Sequence, residues 1–506
     1  MRTFDEIEEK DARLSVQTDG LPEGTGVLTL NRGRTLLTLT TKDLYHPNED
    51  INGWFDLKVR QGQQSILLRN SLFRSQTDHG TRNEVWETGI FPNIVVFNAD
   101  ALDKKNCARS VLFRMEKLDD FFNHHVIEHQ YLFETPKEVF RSLKRLRKNK
   151  FSKQYPVPYD FHKPDSVYLV HRPPRVLAFE ALGNKYEIHW GLWSRGLGWD
   201  GIQVKAEPFG KIDFAEPVSI DDAIDEIWKW KRLFCQLAME RLDLTSISAR
   251  GSVKRHYADL YLSYAEKKDA RKEFDAWAFR GGESPYSRWK ERRCLGKAMG
   301  TWLAKEPTRH IFRGNVDRVV GNLRKGINLE DVVTLCSAIE SLEELKSSGG
   351  LTNKDINKIA KAAVAGAVDA GITIDAARIH SIIGMLKHQS LPQRLKLLME
   401  AIAPTVTADQ SKKIISGTLS LRAIAAHGGS VALLSIPRVR PIVMALAGSC
   451  ILYDLLTSEF PTKANDTYRL RATRQIGEAL DWMTRAERQV ENAGTTTGTT
   501  KEWGAE

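Results

Sequence analysis

The chain has 506 residues, of which 42% are hydrophobic and 27% are charged. These fractions are typical of soluble globular proteins and exclude a collagen-like, mucin-like or wholly disordered chain. The length allows two to four domains of about 150 residues each. The net charge of +10 permits a polyanionic partner without requiring one.

The cysteines and the apolar segments predict a reducing compartment and no membrane association. The five cysteines lie far apart and form no CxxC pair, which is typical of reduced thiols. The N-terminus has no apolar signal segment. The most apolar stretch, residues 442–453, is shorter than the ~20 residues that cross a bilayer. We therefore expect a cytoplasmic protein.

Up to about residue 215, short β-prone segments alternate with turn residues. The predicted strands are 27–31, 35–40, 55–60, 65–69, 94–98, 167–171, 176–180 and 185–190. Many short strands with few helices between them predict an antiparallel sandwich or barrel. We expect a β-rich N-terminal domain over residues 1–215, with residues 137–150 as an inserted helix.

From Ser219 onward, apolar residues recur with helical spacing. We expect a helical connecting region over 216–324. Breaks at glycine and proline divide residues 325–490 into five or six helices, which predicts an all-α bundle. Residues 491–506 are of low complexity and predict a flexible tail. The predicted fold class is therefore α+β multidomain.

A histidine cluster formed by His124, His125, Glu128 and His129 matches the H-x-x-E-H pattern of some zinc peptidases. On a helix, His125 and His129 would share a face and could bind zinc together. The segment continues as a β-prone run, however, and a strand would turn Glu128 to the other face. With no third ligand evident, the sequence favours solvated or hydrogen-bonding histidines, and we predict neither a metal nor a cofactor.

Residues 137–153 contain eight basic residues and one acidic residue. On a helix, four of these would form one face: Arg141, Lys144, Arg145 and Lys148. Such a face is suited to contacting the phosphates of RNA. The alternative is a solvated helix face.

Twelve tryptophans are present, and Trp190, Trp193 and Trp199 lie close together in the sequence. Trp228 and Trp230 follow shortly afterwards. Tryptophan clusters can stack on sugars or bases. They more often pack in cores and between domains, which is the interpretation favoured here.

An arginine followed by a histidine after four to six residues is the spelling of an RNase motif, and the chain contains three matches. They are Arg74/His79, Arg250/His256 and Arg422/His427. Chance alone predicts about this number. Only Arg422 and His427 lie on a strongly helical segment, which Gly428 and Gly429 can terminate. Five residues correspond to about 500° of helix, so these two side chains point ~140° apart.

At these residues the segment LSLRAIAAHGG resembles the helix end of HEPN-domain ribonucleases. The segment VVTLCSAIESLE upstream resembles the opening helix of their ApeA-like subgroup. LPEGTGVLTLNRGRTLLTLT and FFNHHVIEHQYLF are similar to its β-rich N-terminal domain. The order of the domains resembles this subgroup over most of the chain. The sequence motifs themselves resemble it over about residues 325–490.

The resemblance implies a metal-independent endoribonuclease in bacterial anti-phage defence by abortive infection. It implies a composite catalytic site with Arg422 and His427 from both chains of a homodimer, RNA substrates such as transfer RNA, and a phage-derived trigger. The expected products carry a 2′,3′-cyclic phosphate and a 5′-hydroxyl. Ala423 departs from the polar residue usual after the arginine, which keeps open a non-catalytic HEPN scaffold that binds RNA or a protein. A second alternative is a ligand-sensing or carbohydrate-binding module, in which the tryptophan-rich β domain binds the ligand.

Overall fold

The computed structural model describes residues 1–19, 23–42, 53–78, 85–122, 127–131, 141, 166–170, 175–198, 201–252, 256–265, 292–323, 326–345, 353–373, 375–379, 390–426, 436–460 and 471–496. Within them the chain passes from a mainly antiparallel sheet to helices. The predicted α+β class is confirmed.

The first part of the sheet closes into a six-stranded barrel. After helix α1 (Phe4–Asp11) come β1 (Arg13–Thr18), β2 (Gly24–Thr29), β3 (Leu36–Thr41), β4 (Trp54–Gln61), β5 (Gln64–Asp78) and β6 (Trp86–Phe97). Antiparallel pairs join these strands in the cyclic order β1-β2-β3-β6-β5-β4. Alternation along β4 buries Phe55, Leu57 and Val59 in the core.

The rest of the sheet continues from β6, in the order β6-β14-β13-β7-β12-β11-β10. In chain order its elements, with the separate pair β8–β9, are β7 (Ala108–Met115), α2 (Leu118–Phe122), β8 (Ile127–Tyr131), β9 (Ser166–Val170), β10 (Arg175–Ala181), β11 (Asn184–Gly198), β12 (Gly201–Val218), α3 (Ile220–Ala238), β13 (Leu244–Arg250) and β14 (Ala258–Leu262). Every pairing in this part of the sheet is antiparallel.

The sheet extends beyond residue 215, into the segment expected to be helical. The Ser219 hydroxyl caps α3 by accepting a hydrogen bond from the backbone N–H of Asp222. The indole of Trp230 on α3 is buried edge-on against Phe113 of β7 and Tyr186 of β11. The helical pattern that begins at Ser219 therefore corresponds to α3, which covers the sheet. The next two elements, β13 and β14, are strands of that sheet. The predicted domain limits themselves stay predictions.

The C-terminal half of the described chain is helical. Its helices are α4 (Arg292–Ala304), α5 (Glu306–Asn322), α6 (Leu329–Ser341), α7 (Asn353–Asp369), α8 (Leu391–Ala401), α9 (Ala408–Ala426), α10 (Ile436–Thr457) and α11 (Arg471–Thr496). Helix α6 packs against α5, α8, α9 and α10, and α10 packs against α11. Residues Val439–Thr457 are apolar enough to cross a membrane, but 83% of their most apolar window is buried, as in the core helix of a soluble protein.

The C-terminal helices pack on the sheet and on the helix that covers it. Helix α4 packs on the edge strand β10, and α3 packs on α5. Covering an exposed strand edge prevents it from pairing with other chains.

Candidate functional site

Helix α9 carries the arginine of the RNase-like motif. It begins with a reciprocal cap, in which Thr407 and Gln410 each bind the other's backbone N–H through a side-chain oxygen. Ile414, Thr418 and Leu421 are buried along one stripe of the helix. This stripe fixes the rotation of α9 in the bundle and leaves the neighbouring Arg422 at its margin.

Arg422 lies in the last described turn of α9, and its side chain is 37% exposed. Its Nη1 atom lies 2.8 Å from Oε1 of Glu340, whose side chain is 38% exposed. Glu340 belongs to the last turn of α6. The two side chains therefore form an ion pair at the surface, across the contact between α6 and α9.

The end of α6 that carries Glu340 is held by a buried arginine. Arg394 of α8 is 4% exposed. Its Nη1 donates to the backbone carbonyl of Glu340 at 2.6 Å and to that of Leu342 at 3.4 Å. These bonds satisfy carbonyls that a helix end leaves without intrahelical partners, and a cation is favourable there. The backbone of Glu340 is thereby anchored, with its carboxylate beside Arg422.

Cys336 lies one turn before Glu340 on α6 and is buried. Burial raises the pKa of its thiol to about 11, against the opposing charge of Arg422. The thiol is therefore protonated at neutral pH, and a cysteine nucleophile is not available here because the thiolate is the reactive form.

The structure places only part of the predicted site residues. His427 lies outside the described residues, which reach Ala426 in α9. Ala423, the departure from the family pattern, is exposed next to Arg422. Of the basic stripe, Arg141 is exposed. Lys144, Arg145 and Lys148 lie outside the described residues.

The described part of the histidine cluster lies on a strand. Glu128 and His129 belong to β8, which pairs antiparallel with β9. The pairing of His125 with His129 on one face was expected only for a helix, and the segment from Ile127 to Tyr131 is a strand. His124 and His125 lie outside the described residues. Among the residues that the structure does describe, no group of three His, Cys, Asp or Glu is placed to hold a metal ion.

Two of the tryptophans singled out in the sequence pack in the core. Trp230 is fully buried and Trp190 is 7% exposed. The Trp228 ring is only partly buried and lies under the Lys231 ammonium, 4.5 Å from the ring centroid. Stacking on a sugar needs an open aromatic face, so Trp190 and Trp230 are not suited to it. Trp199 lies outside the described residues.

Glu340 is a site residue that the sequence motifs do not reveal. It belongs to the segment VVTLCSAIESLE, which supports the family resemblance as a whole and gives no reason to single out one glutamate. Only the packing of α6 against α9 brings it to Arg422.

Comparison with known proteins identifies the first half of the chain. A family model described as ApeA N-terminal domain 1 matches residues 18–276, slightly more than half of the chain. The match covers β2 to β6 of the barrel, the remaining strands of the large sheet and α3. No curated protein and no solved structure matches the chain. The chain therefore belongs to the ApeA family of anti-phage defence proteins.

Proposed function

We propose that this ApeA-family protein is a metal-independent HEPN-type endoribonuclease with Arg422 and His427 as its catalytic residues. The observation that carries the proposal is the position of Arg422. Its guanidinium is partly open to solvent at the end of a bundle helix, held by Glu340, and a histidine follows five residues later. Residues 325–490 form the catalytic bundle in this proposal.

The chemistry follows from the two side chains. RNA carries its own nucleophile, the 2′-hydroxyl, beside the scissile phosphate. An imidazole with an ordinary pKa near 6.5 can accept that proton or protonate the leaving 5′-oxygen at neutral pH. A permanently charged guanidinium can bind the non-bridging oxygens as negative charge grows on phosphorus. The products would be a 2′,3′-cyclic phosphate and a 5′-hydroxyl.

Glu340 has a positioning role in this scheme. Its carboxylate binds the Arg422 guanidinium, which in this proposal binds the phosphate of the RNA. A surface ion pair of this kind contributes only ~0–1 kcal/mol, so a phosphate can replace the carboxylate at little cost. Glu340 thus favours one orientation of Arg422 without blocking substrate.

A second copy of the chain completes the site. On a continuous helix, side chains five residues apart point ~140° apart, so we propose that a single chain does not direct both Arg422 and His427 at one phosphate. A two-fold pair of α9 helices supplies an arginine and a histidine to each site. We propose a cytoplasmic homodimer that cleaves RNA, transfer RNA among the candidates, after a phage-derived trigger reaches the ApeA N-terminal domain.

One observation favours a different function. Ala423 is exposed beside Arg422, where active HEPN enzymes usually carry a polar residue. A non-catalytic HEPN scaffold that binds RNA or a protein through the same surface would tolerate an alanine there.

Incubation of the purified protein with total RNA in EDTA separates these functions. The nuclease predicts EDTA-resistant cleavage with 2′,3′-cyclic phosphate ends, detected because phosphatase removes the terminal phosphate only after acid opening. Binding of RNA without cleavage would support the scaffold. Cleavage that EDTA abolishes would contradict the metal-independent mechanism.

A further inference from the structure

A buried cluster of charged side chains lies between the ApeA N-terminal domain and the helical bundle. Its centre is Asp454 of α10, which is fully buried. The carboxylate accepts hydrogen bonds from Trp302 Nε1 at 2.8 Å and from Arg309 Nη1 at 2.6 Å. Arg313 donates to it from Nε at 2.7 Å and from Nη2 at 3.0 Å. Two arginines of α5 thus share one carboxylate of α10.

On one side the cluster reaches the ApeA N-terminal domain. Nη1 of Arg313 donates to Glu306 Oε2 at 2.7 Å. The other carboxylate oxygen of Glu306 accepts from Arg232 of α3, which lies within the family-matched region. The side chain of Glu306 is 6% exposed and that of Arg232 is 22% exposed.

On the other side the cluster reaches the candidate catalytic site. Arg309 binds both carboxylate oxygens of Glu344 through Nε and Nη2. Glu344 lies in the 3₁₀ turn Glu343–Leu345, directly after the end of α6. Glu340, the partner of Arg422, lies four residues earlier, in the last turn of that helix. A continuous set of contacts therefore runs through Arg232, Glu306, Arg313, Asp454, Arg309 and Glu344 to the helix end that positions Arg422.

Such a cluster couples the positions of its members strongly but adds little to the stability of the fold. A buried ion pair contributes little net stability relative to apolar residues, but breaking it leaves its partner uncompensated at high cost. Members of a buried polar network therefore depend strongly on one another. The two ends are open to change, since the side chains of Arg232 and Glu344 are 22% and 42% exposed.

We propose that this cluster is a positioning joint, through which the state of helix α3 in the ApeA N-terminal domain sets the position of Glu340 and hence of Arg422. The catalytic meaning of the joint rests on the proposed function. The structural coupling itself does not rest on it. A change at Arg232 should alter the stability of residues 338–345 whether or not the protein cleaves RNA.

Hydrogen–deuterium exchange of the full-length protein tests the joint. Arg232→Gln is expected to accelerate exchange at residues 338–345 by about tenfold, as for the loss of one charged hydrogen bond. Residues 54–61 of β4, which take no part in the cluster, should keep their wild-type rates. Arg232→Lys keeps the charge and should restore slow exchange. Arg60→Gln, which breaks the surface pair with Asp19, is the matched control and should change nothing in α6.

The reverse experiment uses the other end of the cluster. Coupling is reciprocal, so Glu344→Gln should accelerate exchange around residue 232 of α3. This variant also decides the matter if Arg232→Gln fails to fold. Wild-type exchange at 338–345 in Arg232→Gln, or at α3 in Glu344→Gln, would overturn the proposal. Absence of RNA cleavage would remove the proposed nuclease and leave the exchange result standing.

Discussion

At the residue scale, Glu187 shows how the sheet keeps a nearly buried carboxylate charged. It lies on β11 and is 4% exposed. Lys185 Nζ lies 2.9 Å from one carboxylate oxygen, and His189 Nε2 lies 3.1 Å from the other. Burial alone would raise the pKa of Glu187, but the hydrogen bonds and charges of Lys185 and His189 outweigh it and lower the pKa to about 2.

This depressed pKa predicts acid sensitivity. The stabilisation from Glu187 is complete above its ordinary pKa of 4.5 and is lost as the pH falls toward 2. Glu187→Gln should therefore reduce the decline of the unfolding free energy between these pH values, measured by urea unfolding followed by tryptophan fluorescence. Glu216→Gln is the control, because the side chain of Glu216 is 92% exposed. An unchanged pH dependence in Glu187→Gln would contradict this account.

The candidate site was only partly predictable from single residues. The position of Arg422 on a helix follows from the apolar pattern of α9, and the structure confirms it. Its ion pair with Glu340 depends on how α6 and α9 pack, and no local pattern records that packing. The same holds for Arg394, whose side chain binds the end of another helix.

At the element scale, two glycines allow helix α4 to cover the edge strand β10. A Cβ added at Gly296 would lie 3.2 Å from the carbonyl oxygen of Ala178. One added at Gly300 would lie 3.1 Å from the carbonyl oxygen of Glu180. Because both neighbours are backbone atoms, a side chain at either position would push the helix away from the strand.

Substitution of a helix glycine should therefore lower the unfolding free energy where the helix packs on backbone atoms and raise it where space is open. Gly300→Val should lower the unfolding free energy by ~1–3 kcal/mol, as overpacking does. Gly314→Ala in α5 should raise it by ~0.5–1 kcal/mol, the usual gain for alanine in a helix. A Cβ at Gly314 meets nothing within 4 Å. Denaturant unfolding measures both, and a neutral Gly300→Val would show that α4 does not pack tightly on β10.

Some of the strands that the sequence does not predict are buried on both faces. The predicted segments in the barrel and in β9–β11 correspond to strands. Strand β14 buries Ala258, Leu260, Tyr261 and Leu262, so it lacks the alternation that marks a half-exposed strand. A short apolar run of this kind cannot be told from a helix segment by its period. The same limit applies to β13, where four consecutive residues are buried.

At the scale of the whole molecule, one basic segment offers a surface for the proposed RNA partner. The net charge of +10 is concentrated in residues 137–153, from which the four basic residues of the predicted stripe come. A stripe that contacts phosphates should make RNA affinity fall with salt by ~0.7 log unit per contact per decade.

Replacing Arg141, Lys144, Arg145 and Lys148 with Ser should therefore flatten the salt dependence of RNA binding and leave the cleavage step unchanged. Fluorescence anisotropy over a range of salt concentrations measures the slope. The matched control is the replacement of three exposed lysines of α7 by Ser: Lys354, Lys358 and Lys361. A wild-type slope in the first variant would show that the stripe is only a solvated helix face.

The central claim is that Arg422 and His427 cleave RNA, and the rate of RNA cleavage by single variants tests it most directly. Arg422→Ala and His427→Ala should each slow EDTA-resistant cleavage by about 100-fold or more, as loss of a transition-state contact does. Arg422→Ala should leave the unfolding free energy within ~1 kcal/mol, because its ion pair is at the surface. Arg250→Ala, from a chance match to the same motif, should cleave at the wild-type rate. Wild-type cleavage by a folded Arg422→Ala or His427→Ala protein would contradict the account.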